Sequence, residues 1–272
     1  MFKKLFHKWV IEKFSKIAAA MTTVFSILII YIPLQCQGMA FWLLLGVLFL
    51  SYLGVVICAN LKRRVTIKIR NTKIIIKSGD LFKESGYKVI PANEYFDVDI
   101  KNGIIDGNSL HGQYIEKYAK CSPKELYKNI IGSLGNKNLS IIDQQKELGG
   151  KNKYKLGTIY NDKHGFLLLA YSTFDNNNRA WLHNDDIVQC YTNMWNEIDI
   201  VRGSNSIAFP VLGAGGIVRF DKDYTPQQLI ELLLWSFRVS GIQLSRGATL
   251  TIVVHDSIAR KIDFLKLKNY AD

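Results

Sequence analysis

The chain has 272 residues, 48% of them hydrophobic, with a net charge of +12. That length admits one or two domains. Its four cysteines and five histidines show no metal-ligand or disulfide spacing, which argues against a zinc site or a disulfide scaffold and fits a reducing compartment. The charge is uneven: residues 1–64 hold Lys3, Lys4, Lys8, Lys13, Lys16, Lys62, Arg63 and Arg64 against Glu12 alone, +7, leaving +5 for residues 65–272. A nucleic-acid footprint is a basic stripe on the folded domain. An excess confined to one end points to a membrane surface instead.

Residues 1–16 form a basic leader in which Phe2, Leu5, Phe6, Trp9, Val10 and Phe14 recur at helical spacing. They read either as an amphipathic helix in the headgroup layer or as a plain polar leader. From Ile17 to Leu61 no side chain is charged. A bilayer core of ~30 Å takes about 20 helical residues, and two such lengths fit, 17–34 and 39–59. The turn is expected at QCQG (35–38), bracketed by Pro33 and Gly38. Two buried core helices would give the same pattern. A cleaved signal peptide would not, because a second span follows immediately. Lysines and arginines flank both ends of the hairpin, so both termini are expected on the cytoplasmic side of the cell membrane.

Residues 62–272 alternate strand and helix signals as one cytosolic domain. Apolar runs at 65–69, 73–77, 87–90, 166–173, 206–212 and 249–255 predict strands covered on both faces. Ser122-Pro-Lys-Glu and Thr225-Pro-Gln-Gln predict helix starts, each with a capping hydroxyl, Pro at the first helical position and Glu or Gln two residues later. A third helix is expected from about Asp185 to Ile198, and the helix begun at Thr225 is expected to end near Ser240–Gly241. KELGGKNKYKLG (146–157) reads as an exposed excursion. The fold class is α/β with a mixed sheet, and ligands of such folds bind beyond the carboxyl ends of strands.

At one such end stands PVLGAGGIVRF (210–220). It is not a Rossmann fingerprint, because Val218 stands where the third glycine belongs and no helix follows directly. It is not a P-loop either. What remains is a backbone nest whose N–H groups meet a phosphate, or an ordinary tight turn. Asp80 ends another strand, where it either accepts from an amine or forms a turn. Asn93 ends a third, as a two-way hydrogen-bonding amide or a local cap.

In this order, strand-Gly79-Asp80, strand-Ala92-Asn93 and strand-Gly213-Ala-Gly-Gly resemble a macro domain over roughly residues 65–258. The usual glycine run after the asparagine is replaced by GNSLHGQYIEKY (107–118), and the NAAN signature is reduced to PAN. Those departures, with the 172–181 loop and the two-span hairpin, resemble the membrane-anchored macro-domain effectors of Thoeris antiphage systems.

The resemblance implies a macro-like three-layer fold, a mixed sheet between helices, preceded by a transmembrane helical hairpin. It implies that Asp80, with Leu81, reads adenine, that Asn93 faces the distal ribose, and that Leu212, Gly213, Ala214, Gly215, Gly216 and Ile217 wrap the diphosphate. Ser109, Leu110, His111, Gly112, Asp175, Asn178 and Arg179 would surround the distal group, Arg179 by pairing with a carboxylate. His111 either contacts ligand or packs the loop. The implied ligand is an ADP-ribose derivative of the histidine-ADP-ribose type, made by an NAD-consuming TIR-domain partner. No catalytic residue, metal or further cofactor is implied. The implied outcome is homo-oligomerisation and membrane disruption. A membrane-tethered macro-type ADP-ribosyl hydrolase is the alternative, with Asp97 and Asp99 as possible acid–base groups.

Overall fold

A computed structural model describes residues 4–146, 148–175, 177–245 and 247–271. The chain divides into two compact units, Met1–Arg63 and Arg64–Asp272. Residues 1–3 of the expected leader, Phe2 among them, lie outside the described residues.

The first unit is a helical pair. Helix α1 (Lys8–Leu28) starts at His7, whose Nδ1 accepts from the Trp9 amide, and ends in a 3-10 turn, Ile29–Tyr31. Helix α2 (Leu34–Leu61) follows. At 1.5 Å per residue the 21 and 28 residues of α1 and α2 span about 31 and 42 Å. Both helices are long and apolar enough to cross a membrane. Two expectations shift. The turn lies at Ile32–Pro33, and QCQG belongs to the first turns of α2. Pro33 has no N–H to donate, so it stands naturally at the N-cap, whereas Gly38 within a helix costs only about 1 kcal/mol. From Lys8 onward the leader is part of α1 and not a separate helix. The hydroxyls of Thr22, Thr23 and Ser26 are occupied by carbonyls of their own helix, at 2.8–3.0 Å.

The second unit opens with β1 (Arg64–Ile69) and β2 (Thr72–Ser78), then β3 (Tyr87–Asn93). Helices α3 (Leu110–Lys117) and α4 (Pro123–Leu134) precede a small hairpin, β4 (Leu139–Ile142) and β5 (Asn152–Tyr154). Next come β6 (Ile159–Asn161), β7 (Phe166–Phe174), β8 (Ala180–Leu182) and α5 (Asn184–Val201). The chain closes with β9 (Ile207–Pro210), β10 (Arg219–Phe220), α6 (Pro226–Ser240), β11 (Thr249–Val254) and α7 (Asp256–Ala259).

The sheet runs β1-β2-β11-β9-β3-β7-β8-β10, with β6 beside β7. Strands β2, β11, β9, β3 and β7 are mutually parallel, β1 and β6 are antiparallel to their neighbours, and β8 is antiparallel to β7 and parallel to β10. Alternation along β7 sends Leu167, Leu169 and Tyr171 into the core with α5 and α6, and Leu168 and Ala170 into a second core with α3 and α4. The sheet is thus mixed, parallel at its centre and sandwiched between helices, as expected. The predicted caps form: the Ser122 hydroxyl accepts from Glu125 N, and Thr225 and Gln228 form a reciprocal capping box.

Two segments depart from their expected form. SLHGQ opens α3, because Ser109 caps it and Leu110, Tyr114 and Ile115 supply an apolar face. The 146–157 segment is only partly an exposed excursion: it contains β5, and Gly150 and Tyr154 are buried.

Candidate functional site

The parallel strands end together, so the loops leaving β3, β9 and β11 converge on one edge of the sheet. A cavity of about 320 Å³ opens there. Its floor comes from Pro91, Ala92 and Asn93 of β3. Ser109, Leu110 and His111 bring the first turn of α3 to one wall. The glycine loop adds Gly213, Ala214, Gly215 and Ile217 to the lining.

That loop is held from below. Gly213 has φ +79°, and a Cβ there would meet the Phe220 ring at 2.5 Å. Only glycine suits this position, for both conformation and space. The Ala214 amide bonds the Val211 carbonyl at 3.1 Å, whereas among the described residues the amides of Gly215, Gly216 and Ile217 donate to no protein acceptor. Gly216 also lies at positive φ, +76°, while Gly215 does not and faces open space. Gly215 and Ile217 therefore bring free donors to the cavity lining, while Gly216, also expected at the diphosphate, does not line it.

The first turn of α3 offers donors as well. Ser109 Oγ accepts from Gly112 N at 2.9 Å, and the first intrahelical bond runs from Gln113 N, so the Leu110 and His111 amides stand free at the positive end of α3. Among the described lining residues none is Lys or Arg. An anion in this cavity would be met by backbone dipoles, as at other helix N-termini and nests. His111 is 3% exposed, with Nε2 buried and unpartnered. Burial drives its pKa down to about 4, so the imidazole is neutral at pH 7.

Asn93 is 2% exposed and its carboxamide is fixed. Oδ1 accepts from the amides of Tyr95 and Asp97 at 3.0 and 3.2 Å, and Nδ2 donates to Asp97 Oδ2 at 3.0 Å. This is a local cap, and it leaves one Nδ2 hydrogen for another acceptor.

Residues 74–255 match the family described as Thoeris protein ThsA, macro domain. The chain belongs to this family. It is 30% identical over 271 residues to the Thoeris protein ThsA of Bacillus amyloliquefaciens (strain Y2), covering 98% of this chain and 90% of that one. Two solved structures share the fold. One is a glycine-to-valine variant of the Oceanobacillus iheyensis macrodomain with ADPR, at TM-score 0.50 and 13% identity over 76% of this chain and 97% of that one. The other is an aspartate-to-alanine variant of the same macrodomain, at TM-score 0.50 and 16% identity with the same coverage.

In this Thoeris ThsA member the expected site residues divide. Asn93, Ser109, Leu110, His111, Gly213, Ala214, Gly215 and Ile217 come together around the cavity. Asp80 does not line it: it follows β2 and caps a short 3-10 turn by accepting from Phe82 N at 2.9 Å, while Leu81 is buried in the core. Leu212 is likewise a core residue. Gly112 serves packing, because a Cβ there would overlap the Asp106 carbonyl.

Asp175 and Asn178 open on a second, polar cavity beside Tyr95, Asp143 and Lys146, with Phe174 common to both cavities. The Asp175 carboxylate is occupied by the Asn177 and Arg179 amides and by Trp181 Nε1, at 2.8–3.3 Å. The hydrogen bond from the Arg179 amide is the first cause of its lowered pKa. Arg179 is exposed and lines neither cavity. A turn built around Asp175 thus occupies this carboxylate, while Phe174 and Ala180 on either side of the turn line the first cavity. Asn176 lies outside the described residues.

Sequence reasoning missed Asp106, Asn108, Ser172, Phe174, His255 and Ser257, all of which line the cavity. Their signal was positional: Ser172 and Phe174 lie near the end of β7, and His255 directly follows β11.

Proposed function

We propose that this chain is a membrane-anchored sensor and effector of antiphage defence that binds an ADP-ribose-type signal in the cavity between α3 and the glycine loop. The observation that carries the reading is that two backbone donor sets, the α3 N-terminus and the Gly215 and Ile217 amides, line one cavity, with no lysine or arginine among its described lining residues. Two such sets suit a diphosphate, whose charge is spread over several oxygens. The apolar remainder of the wall suits nucleoside and ribose faces.

The distal group is of the histidine-ADP-ribose kind, released by an NAD-consuming TIR-domain partner. The helical pair anchors the chain by its two spans, with both termini on the cytoplasmic side. Few residues of the two apolar stretches are buried within the unit, which suits lipid surroundings and not a soluble core. Ligand binding favours a self-associated state, and clustered hairpins breach the bilayer. Only a ligand that binds that state more tightly can drive the change.

Binding without turnover is favoured by Asp97. That carboxylate neighbours Asn93 but is 1% exposed, and Lys146, Asn93 and the Gly150 amide take most of its acceptor sites, which disfavours its use on a water.

The test is calorimetry and thermal shift on the full chain in detergent with ADP-ribose, histidine-linked ADP-ribose, NAD and AMP. Ligand at ~100 times its dissociation constant should stabilise the fold by about 2.7 kcal/mol. Sedimentation of the same samples should show a larger species only with the activating ligand. No shift with any ADP-ribose compound would remove the reading, and loss of ligand over time would favour a hydrolase.

A further inference from the structure

We propose that Asp97, held by Lys146 and the Gly149–Gly150 pair, is a positioning residue: it fixes the Asn93 carboxamide in the cavity and ties the excursion carrying Lys146, Gly149, Gly150 and Lys153 to cavity occupancy. The proposal rests on the reading of the cavity as the ADP-ribose site.

The glycine pair in KELGGK has a specific task. Gly149 lies at φ +85°, and a Cβ there would overlap the Asp97 carboxylate. A Cβ on Gly150 would meet the Tyr127 hydroxyl at 2.5 Å. The backbone can close on the carboxylate only because both side chains are absent. The Gly150 amide then donates to Asp97 Oδ1, and Lys146 Nζ sits 2.7 Å from Oδ2. Lys146 Nζ also lies 3.6 Å from the Tyr95 ring centroid, and the Tyr95 hydroxyl donates to Asp143 at 3.0 Å.

A second tie runs alongside. Glu94 is 2% exposed and pairs with Lys153 Nζ at 3.2 Å, and its Oε1 accepts from the Phe174 amide at 3.2 Å. The Tyr154 amide donates to the Glu94 carbonyl at 2.8 Å. Within five residues, then, the end of β3 offers Asn93 to the cavity and two buried carboxylates to the excursion.

A buried carboxylate stays charged only while its partners are in place. A ligand that accepts from the remaining Nδ2 hydrogen of Asn93 meets the amide in the orientation that Asp97 fixes, so ligand and tether support one another. Loosening the excursion removes the partners that hold Asp97. By linkage, whatever the ligand does to the tether, the tether does to ligand affinity by the same factor. Among the described residues none of the excursion lines the cavity, so such coupling is indirect. The neighbouring Ile141, Ile142 and Leu148 are exposed, so a change in the tether alters an apolar surface.

The experiment uses the full chain in detergent, with ADP-ribose as probe and Asp97→Asn, Lys146→Met, Lys146→Arg and Gly149→Ala as variants. Calorimetry gives the dissociation constant, and amide hydrogen exchange follows residues 139–155 with and without ADP-ribose. Ligand should slow that exchange at least fivefold in wild type. Asp97→Asn, Lys146→Met and Gly149→Ala should bind at least tenfold more weakly and lose the protection, while Lys146→Arg keeps both within threefold. Thr225→Ala destabilises the domain at a distant cap and should retain wild-type affinity, which separates positioning from general destabilisation. If Lys146→Met does not fold, Asp97→Asn carries the test, since it removes the charge that needs a partner.

Variants that bind within twofold of wild type, or an excursion whose exchange ignores ligand, would overturn the proposal. If wild type does not bind ADP-ribose, the site reading fails separately. The positioning role of Asp97 is then decided by exchange at the Tyr95 and Asp97 amides, which donate to Asn93 Oδ1. Faster exchange there in Lys146→Met supports it, and unchanged exchange overturns it.

Discussion

Gly213 and Gly215 are two residues apart in one loop, and the structure gives them opposite tasks. Alanine at Gly213 must adopt φ +79° and place its Cβ 2.5 Å from the Phe220 ring. The left-handed conformation alone costs about 1–2 kcal/mol for a residue with a Cβ. Displacing Phe220, which packs against the core, adds to it, so about 2 kcal/mol is a lower estimate. For a domain of this size each kcal/mol moves the melting temperature by roughly 2–4 °C, which gives a fall of at least about 4 °C. Gly215 has ordinary φ, and a Cβ on it would find no other atom within 4 Å. Gly215→Leu should therefore melt within about 0.5 kcal/mol of wild type, as surface changes do, yet its side chain stands where ligand oxygens reach the amides. The assay is differential scanning fluorimetry of the full chain in detergent, with and without ADP-ribose. Gly213→Ala should melt early but still gain from ligand, and Gly215→Leu should melt normally and gain nothing. A Gly215→Leu protein with the full ligand-induced shift would refute the diphosphate reading of the loop.

Three further outcomes are expected. His111 is held neutral by burial with a pKa of about 4, against ~6.5 when unfolded. The unfolded chain therefore binds more protons between these values, so the contribution is complete above pH 6.5 and is lost as pH falls toward 4. From pH 8 to pH 5 the loss is about 2 kcal/mol, and chemical denaturation of His111→Leu should show a correspondingly flatter pH profile. Gly112→Ala places a Cβ against backbone atoms of Asp106 and Gly107, which cannot swing aside, so it should cost at least ~2 kcal/mol in thermal unfolding. Near wild-type melting would show that this turn can open freely. Thr225→Ala removes one half of the α6 capping box and should cost about 1 kcal/mol in the same measurement, with ligand affinity unchanged.

The sequence by itself determined whatever depends on near neighbours in the chain. The uncharged stretch from Ile17 to Leu61 fixed two long apolar helices, since hydropathy is a local sum. Ser122 and Thr225 fixed two helix starts, because a cap reaches only two or three residues forward. Near-continuous apolar runs located the central strands, and their order with the strand-end Asn93 and Gly213–Gly216 located one edge of the sheet. Tertiary structure decided which strand-end residues face one another. Asp80 accepts from the Phe82 amide through one carboxylate oxygen and stands outside the cavity lining, and Asp175 closes a turn of its own. Asn93, expected to face a ribose, is fixed by a carboxylate four residues on. The Gly149–Gly150 pair looked like loop because its reason lies 53 residues away, at Asp97. Local propensity carries no term for a contact across that separation. Only the packing of the excursion against the ends of β3 and β7 makes a buried charge, and the glycines that admit it, necessary.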